Sequence, residues 1–313
     1  MRPILFSFLF LGLAGTATHA STDYPLVIDN CGIEVTFSQP PEKAIAIKST
    51  SADLLLELGL ESHIAGVAFL DEPLEQRWAA ASRELAVISD KLPSQEAVLA
   101  LEPDFIYGGW ESNFALDGVG ERSALARLGV NSYVSPAACR SLKPATLTFE
   151  ALFHQILEMG AIFNVTDVAA DLVATQRALL DSIQPDERGL TAVWYSSGVK
   201  TPYVGAGSGA PQMILNTIGL QNIFADVDES WFSTSWEIVV DSNPDLIVLV
   251  DSTWNSAAQK KQFLAENPIT SRLDAVINER YLVIPFPASE AGIRNAGASA
   301  DMARQLSTIP ATP

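Results

Sequence analysis

The chain has 313 residues, 48% of them hydrophobic and 18% charged, enough apolar material for a large core without support from metals or disulfides. Lys and Arg number 19 against 37 Asp and Glu, a net charge of −18, which argues against nucleic acid and anionic lipid headgroups as partners. The three histidines, His19, His63 and His154, lie far apart and form no His-Glu-x-x-His motif, so histidine-ligated zinc and metallohydrolase chemistry have no basis.

In chain order, Met1–Ala20 comes first. Arg2 precedes an apolar run from Ile4 to Ala14, and Thr18 and Ala20 occupy the −3 and −1 positions of a cleavage site before Ser21. This pattern reads as a secretory signal peptide, because the run is too short for a span of ~20 residues. No Cys stands at the cleavage point, so the mature chain is expected to be soluble and periplasmic, without a lipid anchor or membrane insertion. Two cysteines follow, Cys31 and Cys139. An isolated pair in an oxidising compartment favours a disulfide. A free catalytic thiol is the alternative, but neither has a histidine nearby in sequence.

Short, continuously apolar runs then alternate with helical patterns. Candidate strands are Ala44–Ile47, Ile64–Val67, Phe105–Tyr107 and Asn131–Val134, then Thr191–Tyr195, Leu246–Val250 and Tyr281–Ile284. Such runs suit parallel strands covered on both faces. Ser51–Gly59, Glu121–Leu128 and Pro211–Gly219 have helical period, and the alternation predicts parallel α/β sheets. Between the halves, residues 148–183 are helical in period, with a turn at Asn164-Val165-Thr166 and Thr166 expected as an N-cap. The second piece, Asp167–Ile183, would run ~25 Å, enough to bridge two lobes.

The halves echo each other. Ser94-Gln-Glu96-Ala-Val98 leads to Pro103-Asp104, and Ser235-Trp-Glu237-Ile-Val239 leads to Pro244-Asp245, with Pro seven residues after Glu in both. Leu58-Gly59-Leu60 is matched by Ile218-Gly219-Leu220. Two matches in the same order predict two lobes of related build.

These features together resemble the ABC-transporter substrate-binding proteins for iron–siderophore complexes and cobalamin. Val35-Thr-Phe37 with Pro40-Pro41, and Asp53-Leu-Leu-Leu-Glu-Leu-Gly59, are similar to that family's opening segment and first helix. Lys48-Ser-Thr50, Gly109-Trp-Glu-Ser-Asn-Phe114, Ser135-Pro-Ala-Ala-Cys139, Trp194-Tyr-Ser-Ser-Gly198 and Pro285-Phe-Pro-Ala-Ser-Glu290 resemble a branch named for import of a deazaflavin (F-420-type) cofactor precursor. The resemblance implies an α/β fold of two Rossmann-like lobes with a ligand cleft between them. The divisions it suggests are a signal peptide at 1–20, an N-terminal lobe at 21–147, a helical segment at 148–185 and a C-terminal lobe at 186–313. It implies a monomer that binds a small molecule and delivers it to an ABC permease, with Glu96 and Glu237 meeting arginines of that permease. It implies no cofactor and no catalysis. A secreted α/β enzyme is the alternative.

In open α/β sheets, ligands bind beyond the carboxyl ends of the strands. The candidates there are Lys48, Ser49 and Thr50, then Trp110, Glu111 and Asn113, in the first half. Tyr195, Ser196, Trp231, Trp254 and Arg294 are their counterparts in the second. Trp110, Trp231 and Trp254 are three of only six tryptophans and offer flat, rigid faces. Gly205-Ala-Gly207-Ser-Gly209-Ala210 also fits G-x-G-x-x-A, but it lies in the second half rather than after a first strand. It could hold an anionic group of the ligand at a helix start, with Lys48 and Arg294 adding charge, or it could be a plain glycine turn.

Overall fold

The structure, a computed structural model, describes residues 21–142 and 145–310. The signal segment Met1–Ala20 lies outside the described residues. A hairpin of β1 (Leu26–Asn30) and β2 (Ile33–Phe37) opens the chain. The first lobe is a five-stranded sheet of β3 (Ala44–Ile47), β4 (Ile64–Ala68), β5 (Val87–Ser89), β6 (Phe105–Gly108) and β7 (Asn131–Val134). Their order is β5-β4-β3-β6-β7 and every pair is parallel. The second lobe holds β8 (Thr191–Ser197), β9 (Tyr203–Gly205), β10 (Gln221–Asn222), β11 (Trp231–Ser233), β12 (Leu246–Asp251) and β13 (Tyr281–Pro285). The order there is β11-β9-β8-β12-β13, with β10 also paired to β8.

All seven strands expected from the apolar runs are present, because those residues are buried on both faces of their sheets: Ala44, Ile45, Ala46 and Ile47 are all fully enclosed. The second sheet departs from the expectation of wholly parallel strands. β9 and β11 run antiparallel to their neighbours. Only residues 198–202 separate β8 from β9, too few for a parallel crossover. Gly198 turns the chain there at φ 86°, with no room for a Cβ against the Thr201 carbonyl.

The repeated Pro-Asp segments have one structural job in both lobes. The Asp104 carboxylate accepts from the backbone N–H groups of Glu42 (2.7 Å) and Lys43 (2.9 Å), just before β3. Asp245 accepts from the N–H and the hydroxyl of Thr191, both at 2.8 Å, where β8 begins. Each aspartate thus ties the strand it precedes, β6 or β12, to the start of its parallel neighbour.

Two helices, Phe149–Ile162 and Thr166–Asp181, join the lobes. The first gives Phe153, Ile156, Met159 and Ile162 to the first core. The second places Ala169 and Val173 in that core, while Leu179 and Leu180 pack on the second. Thr166 is the first helical residue rather than the expected cap, and Val165 takes the cap position. Asn164, in the left-handed region at φ 56°, already completes the turn, and the Val165 N–H donates to the Gly160 carbonyl at 2.8 Å. Cys31, in the β1–β2 turn, is bonded to Cys139 in the loop after β7, so the hairpin is fastened to the strand-end edge of the first sheet.

Asp104→Ala and Asp245→Ala each strip an ionic acceptor from two donors at a strand start. Each is expected to lower the unfolding free energy in urea by about 1.5–3 kcal/mol, the scale of hydrogen bonds to a charged group. Unfolding curves that match the wild type would show that the paired aspartates are not strand clamps.

Candidate functional site

The carboxyl ends of the two sheets face each other across a cleft of about 670 Å³. Its first-lobe wall is built outward from the end of β3. Lys48 follows β3 in a left-handed conformation, φ 82°, which is strained for a residue with a side chain. Its ammonium, nearly solvent-free, pairs with the equally buried Asp71. The same ammonium lies 3.8 Å from the ring centroid of Trp110 and 4.4 Å from that of Phe69. Gly109 permits this approach, since a Cβ there would come within 2.7 Å of the Lys48 Cβ. Ser49 accepts from the Asp71 N–H at 2.9 Å, and Asn113 accepts from the Trp110 N–H at 2.9 Å. Lys48, Ser49 and Asn113 therefore hold the wall from behind, and Thr50 and Trp110 form its surface.

Glu111 holds the neighbouring loop by accepting from the backbone N–H groups of Arg140 and Ser141. Burial works against its charge, but the hydrogen bonds from Ser141 and Arg140 bring its carboxyl below the usual range. The loop presents Arg140, exposed, to the cleft, immediately after the disulfide-bonded Cys139.

The facing wall comes from β9, β11 and the loop before β11. Tyr203 and Trp231 stack with centroids 5.9 Å apart and planes 16° from parallel. Asp228 and Glu229 stand beside them, and Glu290 closes the end nearest Trp110. The Trp110 indole N–H donates to the Glu290 carboxylate at 3.3 Å, a contact between lobes. Burial, then the charge of Asp71, pushes the Glu290 carboxyl up to about 7, against the opposing effects of Lys48 and Trp110.

Other residues named from sequence sit elsewhere. Tyr195 is buried against Trp236, centroids 5.0 Å apart, and donates to the Gly198 carbonyl. Ser196 is buried at the end of β8. Gly207 answers to packing, because a Cβ would lie 2.0 Å from the Ala225 carbonyl oxygen. The first N–H groups of its loop are engaged in the chain: those of Ala206, Gly207 and Ser208 donate to the carbonyls of Ser230, Val227 and Glu229 at 3.0, 2.9 and 3.0 Å. Arg294 grips Asp53 with two bonds of 2.6 and 2.7 Å and touches Glu75 at 3.3 Å, joining the lobes instead of facing the cleft. Trp254 is exposed and packs edge-on against Phe286, beside a second inter-lobe bond from the Thr253 N–H to Glu72 at 2.7 Å.

Strand-end reasoning missed Arg140, Tyr203, Asp228 and Glu229. Arg140 follows Ser135 and Pro136 by only a few residues, so reading the whole loop after β7 would have found it. The other three lie on or beside β9 and β11, too short to leave an apolar run. Glu96 and Glu237 are both exposed in the first turn of short helices, Gln95–Leu99 and Trp236–Ser242. The caps match as well: Ser94 accepts from the Ala97 N–H at 3.3 Å and Ser235 from the Ile238 N–H at 3.5 Å. Among the described residues, no cluster of three or more His, Cys, Asp or Glu is placed to hold a metal ion.

The family described as "Periplasmic binding protein" matches residues 45–288. A periplasmic binding protein from Veillonella parvula is 26% identical, with a TM-score of 0.81 over 91% of this chain and 98% of that one. A structure from Saccharomonospora viridis, described as an ABC-type Fe3+-hydroxamate transport system, is also 26% identical, with a TM-score of 0.78 over 91% and 99%. The periplasmic heme-binding protein HutB of Vibrio cholerae, 18% identical with a TM-score of 0.64 over 84% and 98%, shares the fold. No curated protein matches.

Because Glu290 titrates above its ordinary value of 4.5, the folded protein holds that proton more tightly than the unfolded chain does. Its contribution to stability is full below about pH 4.5 and is lost as the pH rises through about 7. Between pH 5 and 8 the melting temperature of the wild type should fall more steeply than that of Glu290→Gln. Parallel profiles would remove Glu290 as the titrating group.

Proposed function

The chain belongs to the periplasmic binding protein family, and we propose that it is the solute-binding component of an ABC importer, carrying a medium-sized organic or metal-chelate ligand to the permease. The observation that carries this reading is the cleft itself. Two strand-end walls enclose about 670 Å³, with Trp110 on one side and the Tyr203–Trp231 stack on the other. A volume of that size suits a drug-sized or larger solute, held by apolar area and oriented by few polar groups. Family and neighbours are binding proteins of transport systems, which sets the secreted-enzyme alternative aside.

In this reading, residues 1–20 are a cleaved export signal and the mature monomer works in the periplasm. No helix among the described residues is long and apolar enough to cross a membrane. The functional units are a lobe over 21–147, a connecting segment over 148–185 and a lobe over 186–313. Thr50, Trp110, Tyr203 and Trp231 contact the ligand, and Lys48, Ser49, Glu111 and Asn113 hold that surface in place. Glu96 and Glu237, equivalent in the two halves and both exposed, dock on basic groups of the permease. Such charge pairing supplies orientation and association rate more than affinity. The ligand is a siderophore, a corrinoid or a deazaflavin precursor. The hydroxamate system of Saccharomonospora viridis favours the first, and the sequence strings around Lys48, Trp110 and Glu290 favour the last.

Mass spectrometry of whatever co-purifies with the exported protein identifies the ligand. Trp110→Ala and Trp231→Ala should each weaken its binding by ~10-fold or more, the equivalent of ~1.4 kcal/mol. Trp254→Ala, outside the cleft, should change it by less than about twofold. Equal affinities in all three variants would refute the aromatic-walled site. Glu96→Ala with Glu237→Ala should leave ligand affinity intact and abolish uptake in cells. Normal uptake by that double variant would exclude the docking role.

A further inference from the structure

We propose that the Cys31–Cys139 disulfide is a positioning element of the solute site: it ties the turn of the N-terminal hairpin to the cleft-lining loop 135–142, and without it the loop loosens and solute binding weakens while the first lobe stays folded. This rests on the reading of the cleft as the solute site and deepens it. The loop after β7 gives the cleft Ser135, Ala137, Ala138, Cys139, Arg140 and Leu142, a longer stretch of the lining than any other loop among the described residues. Cys31 belongs to the β1–β2 turn, on the other side of the bond.

The hairpin has its own hold on the lobe. Ile28, Val35 and Phe37 are part of the first core. The Asn30 amide donates to the Val134 carbonyl and accepts from the Val134 N–H, both at 2.8 Å, at the end of β7. Arg122 donates to the Asn30 carbonyl at 2.7 Å, and Asn131 to the Thr36 carbonyl at 3.0 Å. The loop is held less well. Its start is pinned where the Ser135 N–H donates to the Gly108 carbonyl at 3.0 Å. Beyond that point its backbone bonds stay within one short turn, from Ala138 to Ser135 at 2.8 Å and from Cys139 to Pro136 at 3.3 Å. Glu111 accepts from the N–H groups of Arg140 and Ser141, but it stands on the same rim, in the short helix Glu111–Phe114. The contacts that reach away from the rim meet at the hairpin turn. They are the disulfide, the Ser141 hydroxyl on the Cys31 carbonyl at 3.4 Å, and Leu142 against Gly32, where a Cβ would lie 3.2 Å from its Cδ1. The disulfide is the covalent one, and it fixes the loop to an already fixed hairpin.

A cross-link closing a long stretch of chain also resists global unfolding, so the melting temperature moves whichever role the bond has. The test therefore reads local exchange and affinity at room temperature, well below melting. The mature protein is compared with the Cys31→Ala, Cys139→Ala double variant. A second comparison is the wild type reduced by a trialkylphosphine, which takes oxygen from water to become the phosphine oxide as the S–S bond gives two thiols. Amide exchange in peptides covering 135–142 should quicken by ~10-fold or more in both forms, with β1 and β3 changed by less than about twofold. Binding of a gallium(III) trihydroxamate chelate, followed by calorimetry, should weaken by ~10-fold or more. Reoxidation of the reduced wild type should restore both. A loop that exchanges no faster overturns the proposal, as does exchange that rises equally in β1 and β3, which would make the bond a clasp for the fold. A looser loop with unchanged chelate affinity overturns it too, and leaves the solute-binding reading standing if Trp110→Ala weakens that affinity. Chelate binding that Trp110→Ala and Trp231→Ala leave unchanged overturns the cleft as the site. If the chelate does not bind the wild type, the exchange comparison alone decides.

Discussion

The buried pair of Lys48 and Asp71 is the contact on which the site depends. Burying two ions is costly, and the pair persists only because its surroundings are fixed. The end of β3 holds Lys48 in a left-handed backbone, Gly109 leaves space for its stem, and Ser49 binds the Asp71 backbone. In return, the ammonium sets the position of the Trp110 ring. Trp110 then reaches the second lobe through Glu290. One strained residue at a strand end thus supports the flat wall of the cleft and its link to the opposite wall. Removing either ion alone would leave a buried, uncompensated charge and loosen all of these contacts together.

Much of the scaffold was legible in the sequence for one reason. A parallel strand covered on both faces must be apolar at every position, so β3, β4, β6, β8, β12 and β13 announce themselves as uninterrupted runs. The hairpin β1–β2 and the short strands β5, β9, β10 and β11 do not, because the hairpin strands expose one face and the others span only two or three residues. That gap matters for the site, since Tyr203 and Trp231 lie on two of those strands. Trp110 and Thr50 were found because they come within three residues of the ends of the apolar strands β6 and β3. Arg294 and Lys48 were read as free cations, since sequence order says nothing of Asp53 and Asp71 approaching from other elements. The glycines at 205, 207 and 209 left an anion loop and a plain glycine turn both open, and close contacts with Pro211, Ala225 and Ser230 account for them.

The internal echo carried two messages of different kinds. Its serines cap short helices and its aspartates clamp strand starts, and both are matters of folding. Its glutamates make no comparable contribution to the interior. Matched exposure at equivalent positions of two lobes is what a partner with two similar binding points would require. The structural part of the repeat fixes where such a pair of points can stand.

The helix Thr166–Asp181 contributes side chains to both cores, and Ile293 from the second half completes the first. Neither half of the sequence therefore encloses its own interior. Cutting the chain near residue 185 would leave one core lacking Ile293 and the other lacking the support of Leu179 and Leu180. The two lobes should melt together as a single calorimetric unit, despite their symmetric design. Exchanging one lobe with a relative's would therefore have to carry the helix and the residue 293 turn along with it.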